Sequence, residues 1–130
     1  MKVFSEQWVQ AFAIEINANE AHRQAAIGWE WPLILQMING DNEKSVFLDL
    51  QNGECKIAKV ADQNDCDTAE FIISASSDSW QKILNKELDP MLAVMTKKLE
   101  LKKGNVGTLL KYVDAAKELI RSATEIPTEF

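Results

Sequence analysis

Two Asn-Gly pairs, Asn39-Gly40 and Asn52-Gly53, constrain this chain more than any other feature. Such pairs take up the positive-φ turns that join neighbouring strands. The segments they punctuate suit that role. Trp31–Ile38 is apolar and β-prone, and Pro32 fits the first residues of a strand or an edge. Lys44–Gln51 puts Val46, Leu48 and Leu50 on one face, and Glu54–Ala61 follows the second turn. After a polar loop, Asp62–Asp67, a fourth strand is expected over Thr68–Ala75, with Phe71 and Ile73 on one face. Consecutive strands joined by two-residue turns predict an antiparallel meander rather than βαβ units.

The flanks have a helical period. Ser5 is placed as an N-cap, and Trp8, Phe12 and Ile16 recur every four residues, which predicts a helix over about Glu6–Asn17. Asn19 caps a short second helix that Gly28 ends. Past the fourth strand, Ser76, Ser77 and Asp78 offer caps for a helix carrying Trp80, Ile83 and Leu84. Asp89-Pro90 restarts the helical pattern, with Asp as cap and Pro in the first turn. Lys98–Lys103 then alternates, with Leu99 and Leu101 inward, and Gly104-Asn105 breaks it. A last helix over about Val106–Ala123 carries Val106, Leu109, Leu110, Val113, Ala116 and Ile120 on one face, and the tail from Ile126 is non-helical. The order α-α-β-β-β-β-α-α-β-α predicts an α+β sandwich of one sheet and one helical layer, as a single domain over residues 1–130.

Charge and composition exclude several function classes. The net charge of −6 lacks the basic footprint that a nucleic-acid partner requires. The charge is uneven: Met1–Pro90 is net −8, and Met91–Phe130 is net +2. Cys55, Cys66 and His22 are the only Cys and His residues, and their spacing fits neither a zinc site nor a redox motif. Two free thiols in a reducing compartment are expected. The longest nearly apolar stretch is far short of a membrane span, and the first eight residues lack a signal-peptide core, so the expected location is cytoplasmic. No phosphate loop, nucleophile motif or metal triad is present, and nothing calls for a cofactor.

From Phe71 onward the motifs combine. A strand leads to Ser77-Asp78-Ser79-Trp80-Gln81-Lys82-Ile83-Leu84, then Glu87-Leu88-Asp89-Pro90-Met91-Leu92-Ala93-Val94-Met95, then Lys97-Lys98-Leu99-Glu100-Leu101-Lys102-Lys103-Gly104-Asn105. This pattern resembles the sterol carrier protein family of lipid-binding domains over about Phe71–Ile120. The approach Gly28-Trp29-Glu30-Trp31 and the closing Pro127-Thr128-Glu129-Phe130 resemble its stand-alone prokaryotic branch. The resemblance implies a single, mainly antiparallel five-stranded sheet covered by about five helices. It also implies an apolar tunnel between sheet and helices for a fatty acid, acyl-CoA or sterol-like lipid, with no catalytic chemistry. Lys97 stands where the family often has Gly, and the chain ends in Thr-Glu-Phe rather than the peroxisomal Ser-Lys-Leu of animal members.

On that reading Phe71, Ile73, Trp80, Ile83, Leu84, Leu88, Met91, Met95, Leu109, Leu110 and Val113 line the tunnel, with any polar headgroup at its mouth. A tunnel and a packed core call for the same residue types and differ only in unfilled volume. The competing expectation is therefore a filled core whose exposed helix face binds a protein partner or a second copy. The lysines at 97, 98, 102, 103, 111 and 117, with Arg121, are candidates for transient contact with a membrane surface, although Asp114 and Glu118 interleave with them. An enzyme would need a buried carboxylate, for which Asp49 is the candidate, but Asp49 shares a mixed face with Phe47 and Gln51.

Overall fold

The computed structural model describes residues 1–130. The chain opens with α1 (Glu6–Ala18), whose first turn is capped by the Ser5 hydroxyl accepting from the Trp8 N–H at 3.2 Å. Its buried residues are Trp8, Val9, Phe12 and Ile16, the stripe expected from their spacing. Asn19 ends α1 and caps α2 (Glu20–Ala25), its side-chain oxygen accepting from the His22 N–H at 3.0 Å.

The meander follows as β1 (Pro32–Asn39), β2 (Asn42–Gln51) and β3 (Glu54–Val60). Asn52 and Gly53 both have positive φ, as the second turn requires. The first turn is displaced by one residue from the expected pair. Asn39 pairs with Asn42, so Gly40 and Asp41 form the loop, and β2 begins two residues earlier than expected. Pro32 is the first residue of β1, where its missing N–H costs little even though β1 is the central strand.

The segment expected as a polar loop contains α3 (Gln63–Thr68). Asp62 and Asp65 cap each other's backbone N–H groups, and the Lys59 ammonium lies 3.2 Å from the Asp65 carboxylate. Then come β4 (Phe71–Ser76), α4 (Ser77–Leu84), α5 (Pro90–Met95) and β5 (Leu99–Lys103). The sheet order is β3-β2-β1-β4-β5, antiparallel at every junction except the parallel β1–β4 pair. The last helical stretch is two helices, α6 (Val106–Lys111) and α7 (Val113–Thr124). Tyr112 leaves helical geometry between them (φ −113°, ψ 29°) and sets its ring against Trp29, with centroids 5.4 Å apart. Seven helices thus replace the expected five.

One sheet face, carrying Leu33, Leu35, Val46, Leu48, Phe71, Ile73 and Leu99, packs with α1, α4 and α7 into one continuous core. The opposite face carries a small cluster of Ile34, Ala69 and Ile72 beside α3, and Phe47 packs on it. Lys97, at the position where glycine is common among the resembled proteins, adopts φ +59°. It ends α5 in a left-handed residue, with the Lys98 N–H bonding back to the Ala93 carbonyl, a closure for which glycine is the easiest occupant.

Candidate functional site

Two concavities lie between the inner sheet face and the C-terminal helices. The first is a cavity of about 310 Å³, counted to its opening. It is lined by His22 and Ala26 of the α2 region, Trp29, Leu33 and Leu50 from the sheet side, Ile73 of β4, Leu109 of α6, Tyr112, and Ala115, Ala116 and Leu119 of α7. Little of that space is free, about enough for one water molecule. The second is a cleft of about 590 Å³, counted to its mouth, between β5, α5, α6 and α7. Its walls are Ile73, Pro90, Met91, Val94, Leu99, Leu101, Leu109, Leu110, Val113, Ala116 and Ile120, with Glu100 and Lys117 as its polar members. Ile73, Leu109 and Ala116 belong to both. They are the partition, and Leu109 is its part carried on α6, a helix that buries no residue.

An aromatic cluster closes one side of the cavity. Trp29 touches Trp31, Phe71 and Tyr112 at centroid distances of 5.1, 4.7 and 5.4 Å, and its indole N–H donates to the Trp31 carbonyl at 2.8 Å. The Trp29 and Trp31 rings meet edge to face. Gly104 (φ +122°) lies against the Phe71 ring so closely that a Cβ there would collide with it.

Ile73, Met91, Leu109, Leu110 and Val113, all expected to line a tunnel, come together in the cleft. Phe71 stands beside them in the aromatic cluster. The other five are elsewhere. Trp80 is buried against Phe4, with ring centroids 5.7 Å apart, and donates its indole N–H to the Gln36 carbonyl at 2.8 Å. Ile83 and Leu84 belong to the same filled core. Ile83 and Leu88 also border a polar groove with Lys86, Asp89, Arg121 and Glu125. Met95 is 76% exposed outside the cleft. The sequence reading did not single out His22, Ala26, Tyr112 or Ala115 as lining residues. The available signal was the run of small residues at Ala115-Ala116 facing bulky neighbours, which leaves space rather than filling it.

The ionisable groups near these spaces are few. Burial pushes the His22 imidazole below its ordinary value, and Arg23 acts in the same direction, while the Gly53 backbone and Glu118 oppose it. Burial, with Asp49 and Glu54, pushes the Cys55 thiol up to about 12, which keeps it protonated and a poor nucleophile. Asp49 is half-buried and lines neither concavity. No three His, Cys, Asp or Glu side chains converge as a metal site would need, and no helix is long and apolar enough to cross a membrane.

Residues 15–117 match the SCP-2 sterol transfer family. The chain belongs to that family. A crystal structure of sterol carrier protein 2 superposes on this family member with a TM-score of 0.86 and 36% identity, covering 96% of this chain and 99% of that one. The solution structure of a conserved hypothetical protein from Thermus thermophilus gives a TM-score of 0.84, again at 36% identity, covering 99% and 92% of the two chains. Apo sterol carrier protein 2 from Yarrowia lipolytica shares the fold at 16% identity, with a TM-score of 0.60 over 91% and 90% of the two chains. No curated protein sequence matches this sterol transfer family member significantly.

Proposed function

We propose that this chain binds an elongated hydrophobic ligand, a fatty acid, acyl-CoA or sterol-like lipid, without chemical transformation, in the space formed by the cleft and the cavity behind it. The observation that carries the reading is the shared partition. Two predominantly apolar spaces share Ile73, Leu109 and Ala116 in their walls. An outward movement of α6 would join them, and a lipid-sized pocket requires that movement, because little of either space is free as the helices stand. Each methylene buried there would contribute about 0.8 kcal/mol to binding. The walls are apolar apart from His22 and Tyr112 in the cavity and Glu100 and Lys117 in the cleft, and no nucleophile or pair of carboxylates stands among them, which is why the proposal is a carrier rather than an enzyme.

The rim supports a transient meeting with a membrane surface. Val94 and Leu110 line the cleft yet are themselves exposed, Leu92 and Met95 extend the apolar surface outward, and Lys97, Lys98 and Lys111 are exposed close by in sequence. Exposed apolar side chains beside lysines suit anionic lipid headgroups.

Native mass spectrometry of freshly purified protein, followed by denaturing extraction and lipid identification, tests the binding reading. A stoichiometric co-purifying lipid, or a mass increment after incubation with fatty acid or acyl-CoA, is expected. A chain that stays at its apo mass under both treatments overturns it.

A further inference from the structure

We propose that His22 anchors the polar end of the bound lipid: a hydroxyl or carboxyl group enters first and hydrogen-bonds the imidazole inside the cavity, with the apolar chain trailing toward α6. This rests on the binding reading above and fixes the ligand's orientation and chemical class within it.

His22 is 2% exposed, and its Nδ1 has no hydrogen-bond partner in the protein. His22 is among the residues that line the cavity behind the cleft, where the other ten are hydrophobic. Of the other polar side-chain atoms on that wall, the Trp29 indole N–H is spent on the Trp31 carbonyl and the Tyr112 hydroxyl lies against Gly28, while the Gly53 backbone also engages the ring. A buried polar atom left unpaired is costly, and native proteins pair nearly all of them. A water molecule would satisfy the ring poorly, since a buried water needs about two to four polar partners and this wall offers hardly any. The terminal group of a lipid is better suited, because its chain occupies the apolar walls while its head meets the ring. A neutral imidazole presents one N–H and one lone pair. A hydroxyl or a carboxylic acid both donates and accepts, so either satisfies Nδ1 in whichever tautomer the ring adopts. Burial favours the neutral ring, so a hydroxyl makes the contact with no net charge in the cavity, whereas a carboxyl group must take up a proton from solvent as it enters. The opposite orientation would place the head at the cleft mouth beside Lys117.

The chain has a single histidine, so ring-nitrogen NMR signals report this site without ambiguity. The test adds dodecanoic acid, 1-dodecanol or 1-chlorododecane to the full chain, measuring affinity by calorimetry and the His22 ring nitrogens by long-range ¹H–¹⁵N correlation. Either the acid or the alcohol, or both, should bind about tenfold more tightly than the chloride, as one buried hydrogen bond implies, and should move the ring signals. Which of the two does so identifies the headgroup. The variant His22→Leu should bind all three with similar affinity. Binding of acid and alcohol with unmoved ring signals overturns the anchor and leaves the carrier reading standing. So does a preference that survives in His22→Leu. If none of the three binds, both readings fall. Should His22→Leu not fold, the signals of the unaltered chain decide alone.

Discussion

The two ends of the helical layer use the same kinds of side chain to opposite effect. At the α1 end, Trp8, Val9, Phe12 and Ile16 are fully buried, and Phe4, Trp8 and Phe12 stack in sequence at 5.1 and 5.2 Å. A helix of 13 residues delivers large rings into the sheet at helical spacing. At the α6 end, two helices of six residues each cover the sheet margin, and Ala115 and Ala116 stand where large residues would close the gap. Leu110 remains 63% exposed there. Long helices with rings fill a sheet face, whereas short helices facing alanines leave room. Hydrophobicity is common to both ends; side-chain reach separates them.

The largest test of this contrast is Trp8→Ala. It removes a fully buried indole and its hydrogen bond to Thr128 Oγ1, and should cost roughly 3–5 kcal/mol in urea unfolding. A loss below about 1 kcal/mol would erase the distinction between the ends. Gly104→Ala comes next, combining an unfavourable φ with a collision against Phe71. A loss of roughly 1–3 kcal/mol is expected, with the tryptophan fluorescence of the adjoining cluster altered. Leu109→Trp should act in the reverse sense at the open end. Filling the partition should weaken fatty-acid binding by about tenfold or more, read by displacement of a fluorescent fatty acid, while stability changes by less than about 1.5 kcal/mol. Wild-type binding in that variant would mean that the partition is not on the ligand's path.

His22 supplies a pH test where the two regions meet. Its folded-state pKa lies below the ordinary 6.5, so the unfolded chain takes up the proton first on acidification. The urea midpoint should therefore be flat with respect to this group above about pH 6.5. It should fall as pH drops from there toward the depressed folded value, with Arg23 reinforcing and Glu118 opposing the shift. His22→Leu should flatten that slope. The smallest effect belongs to Lys97→Gly. Relieving a left-handed lysine gains more than the added freedom of the unfolded chain removes, giving a net increase of about 0.5 kcal/mol in stability. No change would show that the Lys97 side chain compensates for its own backbone.

The meander was legible because turn chemistry is local: Asn52 and Gly53 supply both positive-φ residues of their loop. The first hairpin moved by one residue because Gly40 alone needs the positive φ, so the loop is centred on Gly40-Asp41. Asp62 and Asp65 hold a capping box, yet in a run of polar residues their spacing gave no apolar period to betray a helix. The break at Tyr112 is a tertiary effect, since burying the ring against Trp29 outweighs continuing the helix. The cleft was half legible for a similar reason. Periodicity identified the inward faces that hold Ile73, Leu109 and Val113. It could not separate them from Trp80 and Ile83, whose neighbours Phe4 and Trp8 lie some 70 residues away and fill the space around them. His22 was visible only as a lone histidine; its place in the cavity depends on how α2 meets α7.

The bond from the Trp8 indole to Thr128 spans 120 residues, and beside it Lys2 pairs with Glu129. During vectorial synthesis the first helix leaves the ribosome long before its partner exists. Until residues near position 128 emerge, the Trp8 indole has no Thr128 hydroxyl to donate to. Final closure of the well-packed end therefore waits on residues 120 positions downstream of Trp8.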